Sequence, residues 1–298
     1  MDNIFSRPKQ FGEILDLTFR IIKDHFGKLF LLLLAFNSPV IITQLIVQIM
    51  SGRGLIRDVA EGENFIEQFI NTYAVTDVEL FDQTEITGNL IILLISLFIY
   101  PLATATVYLI VKKIKNSQDY ELKEIVQQSF KRFWPLLGSY ILFGLITFFI
   151  FVIPIGIGVG LIVYSFTAGS ILVGLLMILV LLGALLGCLL LITRWSFYLP
   201  ISLFDRAPGL SESFQLTKGR TWMTFGLYIT LFLITTFISS AVEVLSIFLG
   251  LSILYSLIIS IVGVFTSMIF AVGTAVIYFD LKVRQSGNDL KQMIDQYQ

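Results

Sequence analysis

The chain has 298 residues, 56% of them apolar, aromatic or Cys, with 20 Lys or Arg against 21 Asp or Glu and a single His. Apolar content this high exceeds that of soluble globular domains. The balanced charge offers no basic excess on which a nucleic-acid partner could be argued, and none is expected.

The first pattern is amphipathic. Phe11, Ile14, Leu15, Thr18, Phe19 and Ile22 fall at i, i+3, i+4, i+7, i+8 and i+11, one face of a helix. An apolar run over 29–49 follows, long enough for one crossing, which takes about 20 such residues. The N-terminal residues are polar and show no small-residue cleavage pattern, so this span is expected to remain as an anchor. The loop 51–89 then carries eight acids against Arg53 and Arg57. Within it Phe65, Ile66, Phe69, Ile70 and Tyr73 recur at helical spacing beside Glu61, Glu63 and Glu67, which predicts a short acidic covering helix.

A second span is expected over 90–111. Beyond it Leu122, Ile125, Val126, Ser129, Phe130 and Phe133 repeat the six offsets of the first amphipathic segment. Between Arg132 and Arg194 there is no charged residue, and spans are predicted over 136–159 and 171–192. A third, degenerate amphipathic segment keeps Leu210, Ser213, Phe214 and Thr217 before spans at 225–249 and 251–279. The fold class is therefore an all-α integral membrane protein with six transmembrane helices.

Basic residues near span ends are retained in the cytoplasm. Eighteen of the 20 fall in the N-terminal segment, the connections 112–134 and 193–224, and the C-terminal tail. Both termini are thus expected to be cytoplasmic and loop 51–89 external. Trp134 and Trp222 mark the interface depth.

Aligned on Thr18-Phe19, Ser129-Phe130 and Ser213-Phe214, the three amphipathic segments become copies of one preface to a span. The return spans repeat too: Thr104, Tyr108 and Lys112 match Thr274, Tyr278 and Lys282, with Arg194 and Tyr198 a looser relative. A single membrane domain, 1–298, is expected to contain repeat units 1–111, 112–200 and 201–284 and a cytoplasmic tail 285–298. Each preface is expected to lie in the membrane interface, its Phe, Ile and Leu among acyl chains. Basic residues such as Lys218 and Arg220 would then meet anionic headgroups at about 1 kcal/mol each. Bracing of the bundle is the alternative use.

No HExxH, CxxC or Walker loop occurs, and His25 and Cys188 are the single residues of their types, so no catalytic residue, metal ligand or cofactor is expected. Pro154 to Gly160, PIGIGVG, superficially matches a nucleotide loop but has no preceding strand; helix packing is expected there, as at Gly183 and Gly187. Glu243 is the one carboxylate well inside a predicted span, with Ser239 and Ser240 near it. It is a candidate proton, cation or ligand site together with Thr104 and Thr274. Solvation at the outer edge is the alternative.

The run LTKGRTW from Leu216 to Trp222, followed by Phe225 and Gly226, resembles the bacterial glycerophosphoryl diester phosphodiesterase membrane domain family. The opening FGEILDLTF from Phe11 to Phe19, with His25, Phe26 and Gly27 after it, is similar to that family's N-terminal pattern. The resemblance implies a six-span module in a bacterial cytoplasmic membrane. The soluble phosphodiesterase domain and its His-Arg-Gly motif are absent from this sequence, so the activity is not carried over. The expected function is a non-catalytic membrane protein engaging membrane lipids or a membrane-bound partner, a protein or amphipathic peptide. A transporter, or an export or immunity component handling an amphipathic molecule, is the other class.

Overall fold

The computed structural model describes residues 7–56, 67, 83–250 and 252–296. Their regular structure is helical, without a β-strand, and six helices are long and apolar enough to cross a membrane. The chain is an all-α multi-pass membrane protein. Helices are the form these runs must take, because hydrocarbon offers no partner to backbone N–H and C=O groups left open.

In chain order the helices are α1 (Phe11–Met50), α2 (Gln83–Lys115), α3 (Leu122–Lys131), α4 (Phe133–Thr167) and α5 (Ile171–Trp195). They continue with α6 (Tyr198–Phe204), α7 (Leu210–Leu216), α8 (Thr221–Glu243), α9 (Ser246–Leu249) and α10 (Ile253–Gln296). The spans are α1, α2, α4, α5 with α6, α8 and α10. The predicted acidic helix at Phe65, Ile66, Phe69, Ile70 and Tyr73 lies outside the described residues.

Span boundaries shift in three places. The third span runs on to Thr167 instead of stopping at 159, with Pro154 inside it. A proline is tolerated in a membrane helix where neighbours satisfy the backbone it frees. The fifth span ends early, at Glu243, and the short α9 intervenes before α10. The tail continues α10 as helix, held at its start by the i,i+4 pair of Asp280 and Arg284, 2.7 Å apart.

The chain folds as two compact units. One comprises Gly12–Phe130 and Thr230–Val276; the other comprises Met1–Phe11, Lys131–Ile229 and Ile277–Gln298. In the first, His25 leaves helical geometry (φ −121°, ψ 17°) and divides α1 into an amphipathic part and an apolar part. This is the boundary that the change of periodicity predicts. Tyr120 braces the kink: its hydroxyl shares a 3.2 Å hydrogen bond with His25 Nδ1, and Lys28 Nζ lies 4.8 Å from its ring centre. Burial pushes the Tyr120 hydroxyl above the ordinary phenol range, so it keeps its proton at neutral pH. Residues 101–111 of α2 are buried without interruption, so every face of three helical turns is covered.

In the second unit α4 and α5 form a hairpin closed by Gly169, whose φ of +74° suits a residue without Cβ. Its N–H donates to Phe166 O, and the Ser170 N–H to Ser165 O, a Schellman ending that satisfies the last carbonyls of α4. Of the glycines expected to pack here Gly158 makes a close approach, where a Cβ would meet Leu181 Cδ1 at 2.6 Å, and Gly174 makes another, 2.8 Å from Phe166 Cζ. Gly183 and Gly187 face open space, so the GxxxG spacing on α5 does not pack the hairpin. Where α5 breaks before α6, Ser213 of α7 repairs both ends. Its hydroxyl accepts from the Phe197 N–H at 3.1 Å and donates to Arg194 O at 2.8 Å. The Arg194 guanidinium sits 3.5 Å from the Phe214 ring centre, so the third preface is locked to that break.

Candidate functional site

Two arrangements of side chains go beyond packing. The first is on the helices that precede the first, third and fifth spans. Their apolar faces are turned into the protein: Ile14, Leu17, Thr18, Ile21 and Ile22 of α1, Ile125 and Ser129 of α3, and Ser213 and Leu216 of α7 are buried. For these residues the bracing use holds and contact with acyl chains does not, while Leu15, Leu122 and Val126 are half-buried. An amphipathic stripe buries itself on the nearest apolar surface, and here that surface is the rest of the chain. Thr18, Ser129 and Ser213 are each fully buried; Thr18 and Ser129 donate to the carbonyl four residues back, whereas Ser213 donates to Arg194 O, nineteen residues back.

What stays outside is aromatic and basic. Trp134 is 76% exposed and Trp222 67%, and Phe19 and Phe130 are also exposed, while Phe214 is half-buried beneath Arg194. Lys131 and Arg132 precede Trp134, Lys218 and Arg220 precede Trp222, and all four side chains are exposed. Amphipathic rings beside cations are the usual furniture of a membrane–water boundary.

The second arrangement is a cavity of about 230 Å³ within the first unit, near the middle of α1, α2 and α10. Asn37 and Gln44 line it from α1, Tyr100 and Thr104 from α2, and Ser260 and Ser267 from α10. Several of these groups are already engaged: Asn37 Nδ2 donates to Leu33 O at 2.8 Å, Ser267 Oγ to Val264 O at 2.8 Å, and Ser260 Oγ to Ser256 O at 2.7 Å. One turn along α1, Gln48 Nε2 donates to Ser256 Oγ at 2.8 Å, which extends the polar seam between α1 and α10.

The structure separates the three residues expected to form one site. Thr104 lines the cavity. Thr274 is buried, and its hydroxyl donates to Phe270 O of its own helix at 2.8 Å. Glu243 is exposed as the last residue of α8 and is not among the residues around the cavity. Among the described residues the buried acid is instead Asp280, whose side chain is 3% exposed. It accepts from Arg284 Nε at 2.7 Å and from the Lys9 N–H at 2.7 Å, while Arg284 Nη2 donates to Lys9 O. A carboxylate so surrounded fastens the N-terminal segment to α10.

The cavity residues carried a signal in the sequence. Asn37 and Gln44 are seven apart, as are Ser260 and Ser267, and Tyr100 and Thr104 are four apart, so each pair shares a helix face inside an apolar run. Among the described residues no group of three or more His, Cys, Asp or Glu could hold a metal ion. Compared with family models, curated proteins and solved structures, the chain matches none.

Proposed function

We propose that this multi-pass membrane protein is non-catalytic and engages anionic membrane lipid, or a membrane-bound partner that presents the same charge, through its preface helices. The observation that carries the reading is the pairing of the exposed Trp134 and Trp222 with the exposed Lys131, Arg132, Lys218 and Arg220. In this reading both termini and these helices are cytoplasmic, in a bacterial cytoplasmic membrane, and the three prefaces begin three repeated units. The matching burial of Thr18, Ser129 and Ser213 supports the repeat. The runs at Phe11–Phe19 and Leu216–Trp222 support kinship with the glycerophosphoryl diester phosphodiesterase membrane domain, without its activity.

Each basic residue held near an anionic surface contributes about 1 kcal/mol. Changing Lys131, Arg132, Lys218 and Arg220 together to Gln is expected to remove most of the anionic lipid retained by the protein in mild detergent, measured by mass spectrometry of the extracted lipid. Retention equal to wild type would end this reading. The polar cavity favours a second one, a transporter or export or immunity component handling an amphipathic molecule. That reading requires the cavity to be occupied in turn from both faces of the membrane.

A further inference from the structure

We propose that the half-open cavity between α1, α2 and α10 is a binding site for a small uncharged polyol. Its lining carries hydrogen-bonding groups and no charge. The three helices hold no Asp, Glu, Lys or Arg between Lys28 and Arg53, between Glu85 and Lys112, or over 253–279. An ion at this depth would meet no counter-charge and would keep its desolvation cost.

Hydroxylated ligands are selected by what the lining leaves open. Hydroxyls inside membrane helices ordinarily donate to a carbonyl three or four residues back. Thr18, Thr106, Ser129 and Thr274 do this here. Thr104 does not: it is 8% exposed, lines the cavity, and its hydroxyl has no hydrogen-bond partner among the described residues. The Asn37 Oδ1 acceptor is likewise unengaged there, since the Asn37 bond uses Nδ2, and because the one Ser260 proton goes to Ser256 O, the Gln44 amide turns its nitrogen to Ser260 Oγ at 3.3 Å and leaves its oxygen open. Two amide oxygens and one hydroxyl around a common space call for a neutral ligand that donates to the oxygens and can also accept from Thr104, which is the property of an alcohol. Leu33, Val40, Ile41 and Val264 face the carbon skeleton. The space corresponds to roughly seven or eight waters at about 30 Å³ each, enough for a four-carbon polyol and small against sites for drug-sized ligands.

The proposal does not depend on the lipid reading, because the four basic residues of that reading lie outside the cavity. Its test is equilibrium dialysis of tritiated erythritol against the full-length protein in phosphatidylcholine nanodiscs, with empty nanodiscs as blank. Saturable binding is expected, displaced by glycerol but not by lactate or ethanolamine. Thr104→Val keeps the shape and removes the hydroxyl, and should weaken binding about tenfold, the scale of one buried hydrogen bond. Gln44→Leu should do the same, while Thr274→Val, whose hydroxyl is spent on its own helix, should bind as wild type. Folding is checked by gel filtration and thermal midpoint. Absence of saturable binding to folded wild type, displacement by lactate as strong as by glycerol, or undiminished binding in folded Thr104→Val and Gln44→Leu would each overturn the proposal.

Discussion

Individual residues hold this chain where its helices break. Gly209 is the sharpest case: its φ is +71°, and a Cβ there would lie 2.7 Å from the Tyr198 carbonyl oxygen. Gly169 has a similar φ of +74° but nothing within 4 Å of a Cβ. The pair separates backbone strain from steric conflict. Gly169→Ala should cost about 1–2 kcal/mol, the left-handed penalty alone. Gly209→Ala should exceed it by at least about 1 kcal/mol, because the backbone of α6 cannot yield as a side-chain tip does. Denaturant unfolding in detergent micelles reads both, and equal losses would show that the Tyr198 contact relaxes without cost.

Among the elements, the preface helices divide their residues between two solvents. The sequence predicts that Phe19→Asp harms assembly more than Arg20→Asp, since Phe19 belongs to the apolar stripe. The structure moves the sensitive position inward, to Ile14, which is 1% exposed, whereas Phe19 is exposed and Arg20 pairs with Asp16 at the surface. Ile14→Asp would bury an unpaired charge at a cost of several kcal/mol or more. The expected order of damage is Ile14→Asp, then Phe19→Asp, then Arg20→Asp, scored as the monodisperse fraction on gel filtration after equal expression. Tolerance of Ile14→Asp equal to that of Arg20→Asp would mean that α1 buries a different face.

For the molecule as a whole, the placement of 18 of 20 basic residues predicts the topology. In a Cys188→Ala background, a membrane-impermeant thiol reagent applied to intact cells should label a cysteine introduced at Glu63 and leave one at Lys115 unlabelled until the membrane is opened. The background change is mild, since the Cys188 thiol makes only a 3.4 Å contact with Ile150 O. The reverse labelling pattern would invert the orientation and with it the side of the membrane assigned to the preface helices.

The class of this protein was legible from composition and run length, because the bilayer imposes one length scale and one acceptable backbone form on any apolar run. The preface helices were legible for a similar reason: a period of 3.6 is written along the chain itself, and the kink at His25 falls where that period gives way to hydrocarbon. What surrounds those helices was not. A stripe of Ile and Leu reads the same whether lipid or protein covers it, and only the packed chain shows that Ile14, Ile125 and Leu216 are covered by protein. The chemistry of single polar residues depended on tertiary structure most of all. Thr104 and Thr274 are equivalent in the sequence pattern, yet one hydroxyl faces a cavity and the other is satisfied by its own helix. Glu243 is exposed at the end of α8 whereas Asp280 is buried, because burial is a property of neighbours that the fold brings together, as Lys9 is brought to Asp280 from 271 residues away.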